Sequence, residues 1–192
     1  VSILGRWEEA QRFLVDMIHR GISPNVQTFT VLIDSLCKED KTQEAISLFE
    51  LMISKGIQPD VVTFNSLISA LCKSSRSNEA AQFQENMTSH GISPDICTYN
   101  TILDFLCKEG RSRRALGLVE AMADGGVLPD VVTYNTLIHG LCHFGQVREA
   151  TKLLDKMMDH NVPLDVTTSN VIIDTLCKER RLREAIDVFE CT

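Results

Sequence analysis

The stretch Pro129-Asp130-Val131-Val132-Thr133-Tyr134-Asn135-Thr136-Leu137-Ile138, followed by Gly140-Leu141-Cys142, decides the architecture, because its parts return every 35 residues along the chain. Leu-Cys recurs at Leu36-Cys37, Leu71-Cys72, Leu106-Cys107, Leu141-Cys142 and Leu176-Cys177. Methionine recurs at Met17, Met52, Met87, Met122 and Met157, and proline at Pro24, Pro59, Pro94 and Pro129, at the same step. Such a chain is one small unit copied, each copy burying its apolar face against its neighbours. Full units are expected at residues 26–60, 61–95, 96–130 and 131–165, with partial units at 1–25 and 166–192.

Each unit reads as two short amphipathic helices. Val61, Phe64, Leu67, Ile68 and Leu71 fall at helical spacing, as do Ala45, Leu48, Phe49 and Met52. Polar stretches such as Glu39-Asp40-Lys41-Thr42 and Glu109-Gly110-Arg111-Ser112 mark the turn between the two helices. The second helix is expected to close at Gly21, Gly56, Gly91, Gly126 or Asn161, residues that accept positive φ, and the proline three residues later forbids continuation. Asp60, Asp95, Asp130 and Asp165 then stand where an N-cap of the next first helix belongs. The expected fold is all-α, a right-handed solenoid of helix-turn-helix repeats.

Composition adds limits. With 192 residues, 44% hydrophobic and 23% charged, the chain is ordinary globular material, and no apolar run reaches the length of a membrane span. Val1-Ser2-Ile3 falls inside a repeat, so the chain is expected to be part of a larger protein whose targeting segment lies upstream. Partial repeats at both ends are expected to bare apolar faces and to self-associate end to end.

The wording of the repeat, Val131 to Ile138 with Gly140-Leu141-Cys142, and the Gly-Ile-x-Pro-Asp junctions at 56–60 and 91–95, closely resembles the pentatricopeptide repeat of plant organelle RNA-binding proteins. It is similar to the uninterrupted 35-residue class, and the Leu-Cys-Lys signature to the restorer-of-fertility-like group. The tetratricopeptide pattern is not met; the single tryptophan is Trp7. The resemblance implies single-stranded RNA as partner, one base per repeat, read by the fifth residue of a unit and its last. Carried over, the pairs are Thr30 with Asp60, Asn65 with Asp95, Asn100 with Asp130 and Asn135 with Asp165, with Asn170 opening a further pair. The family's code assigns Thr/Asp to G and Asn/Asp to U, which implies 5′-GUUU-3′. Gln27, Val62, Cys97, Val132 and Thr167 are implied to flank the bases, and Lys38, Lys73, Lys108 and Lys178 to meet phosphates, with His143 in place of the fourth lysine. The family also implies an organelle, a mitochondrion or else a chloroplast.

Plainer readings stand beside these. The asparagines fit a solvated polar stripe, the aspartates fit N-caps worth about 0.5–2 kcal/mol each, and the lysines fit helix C-termini. The net charge of −7 opposes phosphate binding, but acidic Glu44, Glu79, Glu149 and Glu184 fall in the second helices and are expected on the outer side, a negative exterior around a locally basic groove. Seven cysteines, five at strict spacing, form no C-x-x-C pair, so they read as reduced packing residues, with no metal and no cofactor. The five histidines, His19, His90, His139, His143 and His160, are read as occupying no repeated position, and no recurrent arrangement activates a nucleophile, so no enzyme activity is expected. The alternative function is a helical scaffold that binds a protein or peptide in the same groove.

Overall fold

A computed structural model describes residues 12–17, 19–160 and 162–190 of the protein. Eleven helices and no strand lie among the described residues. The first, α1, is described over residues 12–17. There follow α2 (Val26–Lys38), α3 (Thr42–Ser54), α4 (Val61–Lys73), α5 (Ser77–Ser89), α6 (Ile96–Lys108), α7 (Ser112–Asp124), α8 (Val131–His143), α9 (Val147–Asp159), α10 (Val166–Lys178) and α11 (Leu182–Glu190). Trp7, Asn161 and Cys191 lie outside the described residues.

Both helix ends in a unit are made by backbone turns of one kind. At the end of α3 the Ile57 N–H donates to Met52 O (3.1 Å) and Gly56 N–H to Ile53 O (2.8 Å), with Gly56 at φ 73°. This is the 6→1 and 5→2 pairing that a left-handed residue allows. Ile22, Ile92, Val127 and Val162 donate in the same way to Met17, Met87, Met122 and Met157. The recurrent methionine and the glycine four residues later are thus two parts of one cap. A second left-handed residue closes each first helix, at Asp40, Ser75, Gly110, Gly145 and Arg180. The sequence marks only a polar turn there, since glycine holds just two of the five places. The N-caps are as expected: Asp60, Asp95, Asp130 and Asp165 accept from the backbone N–H three residues on, at 2.7–2.8 Å.

Contacts divide the chain into two compact bodies, Val1–Thr98 and Tyr99–Thr192. In the first body α2 packs on α3 and α4 on α5, while α2 and α4 lie side by side. Its core centres on Phe64, Leu67, Ile68 and Leu71, all fully buried, with Phe49, Phe64 and Phe83 in edge-to-face contact, Phe49–Phe64 at 5.2 Å. Burying each such side chain contributes about 1.5–3 kcal/mol. In the second body α8 packs on α9 and α10 on α11, with α8 beside α10. At Gly140 a Cβ would lie 2.6 Å from Cys107 Cβ, so only glycine permits α6 and α8 to approach this closely. On α11, Leu182, Ile186 and Phe189 are exposed.

Two sequence readings change. Cys37, Cys72, Cys107 and Cys142 are buried packing residues as expected, whereas Cys177 and the off-period Cys97 are exposed. Cys177 differs because no later first helix follows α10 among the described residues. Burial pushes the Cys37 thiol up to about 12 and the Cys107 thiol to about 11, so both stay protonated. Second, His90 and His160 do share a position, being two repeats apart at the C-caps of α5 and α9. Each meets the aromatic residue of its own unit's first helix. His90 lies 5.8 Å from the Phe64 ring, and His160 Nδ1 lies 2.7 Å from the Tyr134 hydroxyl.

Candidate functional site

Residues 2, 5, 9 and 13 of a first helix fall on one helical stripe by their spacing of three and four. The stripe reads Gln27, Thr30, Asp34, Lys38 on α2, Val62, Asn65, Ser69, Lys73 on α4, and Cys97, Asn100, Asp104, Lys108 on α6. On α8 it reads Val132, Asn135, His139, His143, and on α10 Thr167, Asn170, Asp174, Lys178. The residues implied to flank bases, Gln27, Val62, Cys97, Val132 and Thr167, are all exposed, Val62 and Val132 by more than half despite being apolar. Isolated exposed valines are ordinary; here they recur with the stripe.

The fifth and last residues of a unit are brought together directly. Asn65 Nδ2 donates to Asp95 Oδ1 at 3.1 Å, Asn100 Nδ2 to Asp130 Oδ1 at 3.3 Å, and Asn135 Nδ2 to Asp165 Oδ2. The same aspartates cap the next first helix, so capping and pairing coexist. Burial pushes the Asp95 and Asp130 carboxyls up. The bonds they accept outweigh it, from the N–H groups of Thr98 and Cys97 or of Thr133 and Val132 and from the amide of Asn65 or Asn100, and both pKa values lie below the usual carboxylate range. Asp165 is lowered chiefly by the Thr168 N–H. Asn65, Asn100 and Asn135 are therefore not a loose solvated stripe. Each is half-buried and held against a charged partner.

No hydrogen bond joins Thr30 to Asp60 directly. The Thr30 hydroxyl donates to Val26 O (2.8 Å) and meets the Thr63 hydroxyl at 2.7 Å, and Thr63 in turn bonds Asp60 Oδ1 at 2.7 Å. Sequence reading passed over this go-between. Thr28, Thr63, Thr98, Thr133 and Thr168 recur every 35 residues, a signal as strict as the leucine-cysteine one. Asn170 is exposed and makes no such pair among the described residues.

The lysines form ion pairs along their own helices: Lys38 with Asp34 and Lys108 with Asp104 at 2.6 Å, and Lys178 with Asp174. Such exposed pairs are worth little and are screened by salt. Lys73 follows Ser69 and is exposed. A locally basic face is therefore only partly present, because Asp34, Asp104 and Asp174 offset three lysines. In the second body an open groove of about 1010 Å³ brings together Asn135, Lys108, Lys178, His139 and His143 from α6, α8 and α10, with Asp104, Asp174 and Glu179 beside them. Glu44, Glu79 and Glu184 pair with Lys41, Arg76 and Arg181 at the starts of the second helices. No group of three metal-ligating side chains occurs among the described residues, and no described helix is long and apolar enough to cross a membrane.

The chain matches the PPR repeat family over residues 3–38, 30–73, 59–108, 94–143 and 129–178, and the PPR repeat over residues 167–191. It belongs to the pentatricopeptide repeat (PPR) family. A pentatricopeptide repeat-containing protein of Arabidopsis thaliana is 44% identical over 48 residues, 24% of this chain and 10% of the relative. Maize PPR10 has the same fold, with a TM-score of 0.81 and 26% identity over 94% of this chain and 26% of its own. PPR10 in complex with an 18-nucleotide psaJ RNA element matches at a TM-score of 0.73 and 26% identity, over 93% of this chain and 26% of that one. The PPR domain of Arabidopsis thaliana protein-only RNase P 1, solved with tRNA, shares the fold at a TM-score of 0.71 and 16% identity, covering 82% of this chain and 83% of that one. The chain thus spans about a quarter of the length of PPR10.

Proposed function

We propose that this chain binds single-stranded RNA in a sequence-specific way, one base per repeat, as a segment of a plant organellar PPR protein of the uninterrupted, restorer-like kind. The observation that carries the reading is the Asn–Asp pair, repeated at Asn65–Asp95, Asn100–Asp130 and Asn135–Asp165. A helix cap needs only the aspartate, and a solvated stripe needs no partner at all. An amide held half-buried beside a carboxylate, on the same helix as an exposed valine and a lysine, is what reading a base edge requires. The likeness to PPR10 in its RNA complex supports the same conclusion.

On this proposal the four full units read 5′-GUUU-3′, with Gln27, Val62, Cys97, Val132 and Thr167 between bases. Lys38, Lys73, Lys108 and Lys178 meet phosphates, three of them by exchanging an aspartate for the RNA backbone. No chemistry is assigned to the chain itself; by occupying RNA it would affect processing, stability or translation in a mitochondrion or chloroplast. The test is titration of labelled RNA carrying GUUU against a scrambled sequence of equal composition. Preference for GUUU is expected. Equal affinity for both would remove the code, and binding of a peptide in competition with RNA would favour the scaffold reading.

A further inference from the structure

The threonine at the third place of the first helix is fully buried at 63, 98, 133 and 168, and at 98 and 133 its hydroxyl reaches back to the asparagine of the unit before. Thr98 Oγ1 donates to Asn65 Oδ1 at 2.6 Å, and Thr133 Oγ1 to Asn100 Oδ1 at 2.7 Å. The same hydroxyls lie 2.9 Å from Asp95 and Asp130 Oδ1, but a hydroxyl has one proton to give, and the amide oxygen is the nearer acceptor in both units. Each amide is thereby gripped at both ends. Its oxygen faces a hydroxyl donor, and its nitrogen faces a carboxylate.

We propose that Thr98 and Thr133 are specificity-determining residues of the preceding units, fixing the orientation of the Asn65 and Asn100 amides and so selecting uracil over cytosine. The inference rests on the RNA reading above. Uracil presents a carbonyl oxygen beside an N–H where cytosine presents an amine beside a bare nitrogen, so a donor–acceptor pair fitted to one is reversed for the other. An amide free to turn over offers both arrangements. One held at both ends offers one. The molecule contains its own contrast in the fourth full unit, where Asn135 pairs with the other aspartate oxygen, Asp165 Oδ2. There Asn135 Oδ1 is buried without a partner, and no hydrogen bond joins it to the Thr168 hydroxyl. The fourth unit is gripped at one end only and selects uracil less sharply.

The test uses the 192-residue chain with fluorescein-labelled GUUU flanked by adenosines, beside GCUU and GUUC in the same flanks. Thr98→Val removes the hydroxyl at nearly constant shape, and its preference for GUUU over GCUU should fall roughly fivefold, the worth of one neutral hydrogen bond. Preference for GUUU over GUUC should stay as it was. Thr98→Ser restores the hydroxyl and should restore the ratio, while Thr168→Val should leave the fourth-position ratio unchanged. Melting by circular dichroism sets aside any loss of folding, since the ratio is read only on folded protein. If Thr98→Val keeps its second-position ratio, or loses the second- and fourth-position ratios equally, the assignment is overturned. If the unmutated chain does not prefer GUUU over GCUU, the RNA code itself has failed, an outcome distinct from the other two.

Discussion

Replacing Asn100 by threonine should rewrite one letter of the target. The change removes two hydrogen bonds, Nδ2 to Asp130 Oδ1 at 3.3 Å and Thr133 Oγ1 to Oδ1 at 2.7 Å, each worth about 1 kcal/mol net. Asp130 keeps its capping bond from the Thr133 N–H at 2.8 Å, so no charge is stranded. The new hydroxyl can adopt what Thr30 shows in the first full unit, a bond to the carbonyl four residues back and one to the next threonine, at 2.8 and 2.7 Å. The net stability cost should therefore be about 1 kcal/mol or less, a small fall in melting temperature. Preference at the third position should move from U to G, by roughly 1–3 kcal/mol if this resembles other bidentate base contacts, or about 5- to 150-fold. Fluorescence anisotropy of both proteins on both GUUU and GUGU gives a four-cornered cycle, in which only the coupling carries the claim. Equal losses on the two RNAs would refute the reasoning and leave Asn100 a structural link between units.

The depressed carboxyls of Asp95, Asp130 and Asp165 favour the folded state above their unfolded pKa, near 3.9, and that contribution disappears as pH falls through the lower folded values. Melting temperature should be level from about pH 7 to 5 and fall below about pH 4; Asp95→Asn should make the fall shallower, and an unchanged acid profile would contradict the account. Gly56→Ala meets no atom within 4 Å, so its cost should be the left-handed backbone alone, about 1–2 kcal/mol by chemical denaturation. Gly140→Ala should cost more than Gly56→Ala, because its Cβ would lie 2.6 Å from Cys107 Cβ; the reverse order would mean that α6 and α8 yield easily. Binding to a bare four-nucleotide RNA should be micromolar or weaker, since stacking of about 1–3 kcal/mol per base must first offset the cost of association; nanomolar affinity would mean that contacts have been missed.

The sequence alone determined the helices, their N-caps and the fold, because those depend on local chemistry that repeats. Gly56 ends one helix, Asp60 caps the next by accepting from the Thr63 N–H, and apolar residues at helical spacing can be buried only by stacking. The sequence also marked Asn65, Asn100 and Asn135, since a polar residue that recurs at one place needs a reason. It could not say that these amides meet Asp95, Asp130 and Asp165 directly, or that a buried threonine holds Asn65 and Asn100 from the far side. Those contacts join residues about 30 apart, and they exist only because neighbouring first helices pack side by side. For the same reason, identical Asn and Asp residues in the fourth unit leave Asn135 Oδ1 without a partner. The lysine stripe was equally legible as a pattern, but whether Lys38, Lys108 and Lys178 stand free or bound to aspartates one turn earlier depends on side-chain placement. Periodicity settles which residues share a face; packing settles which of them touch, and the difference between Asn100 and Asn135 is made there.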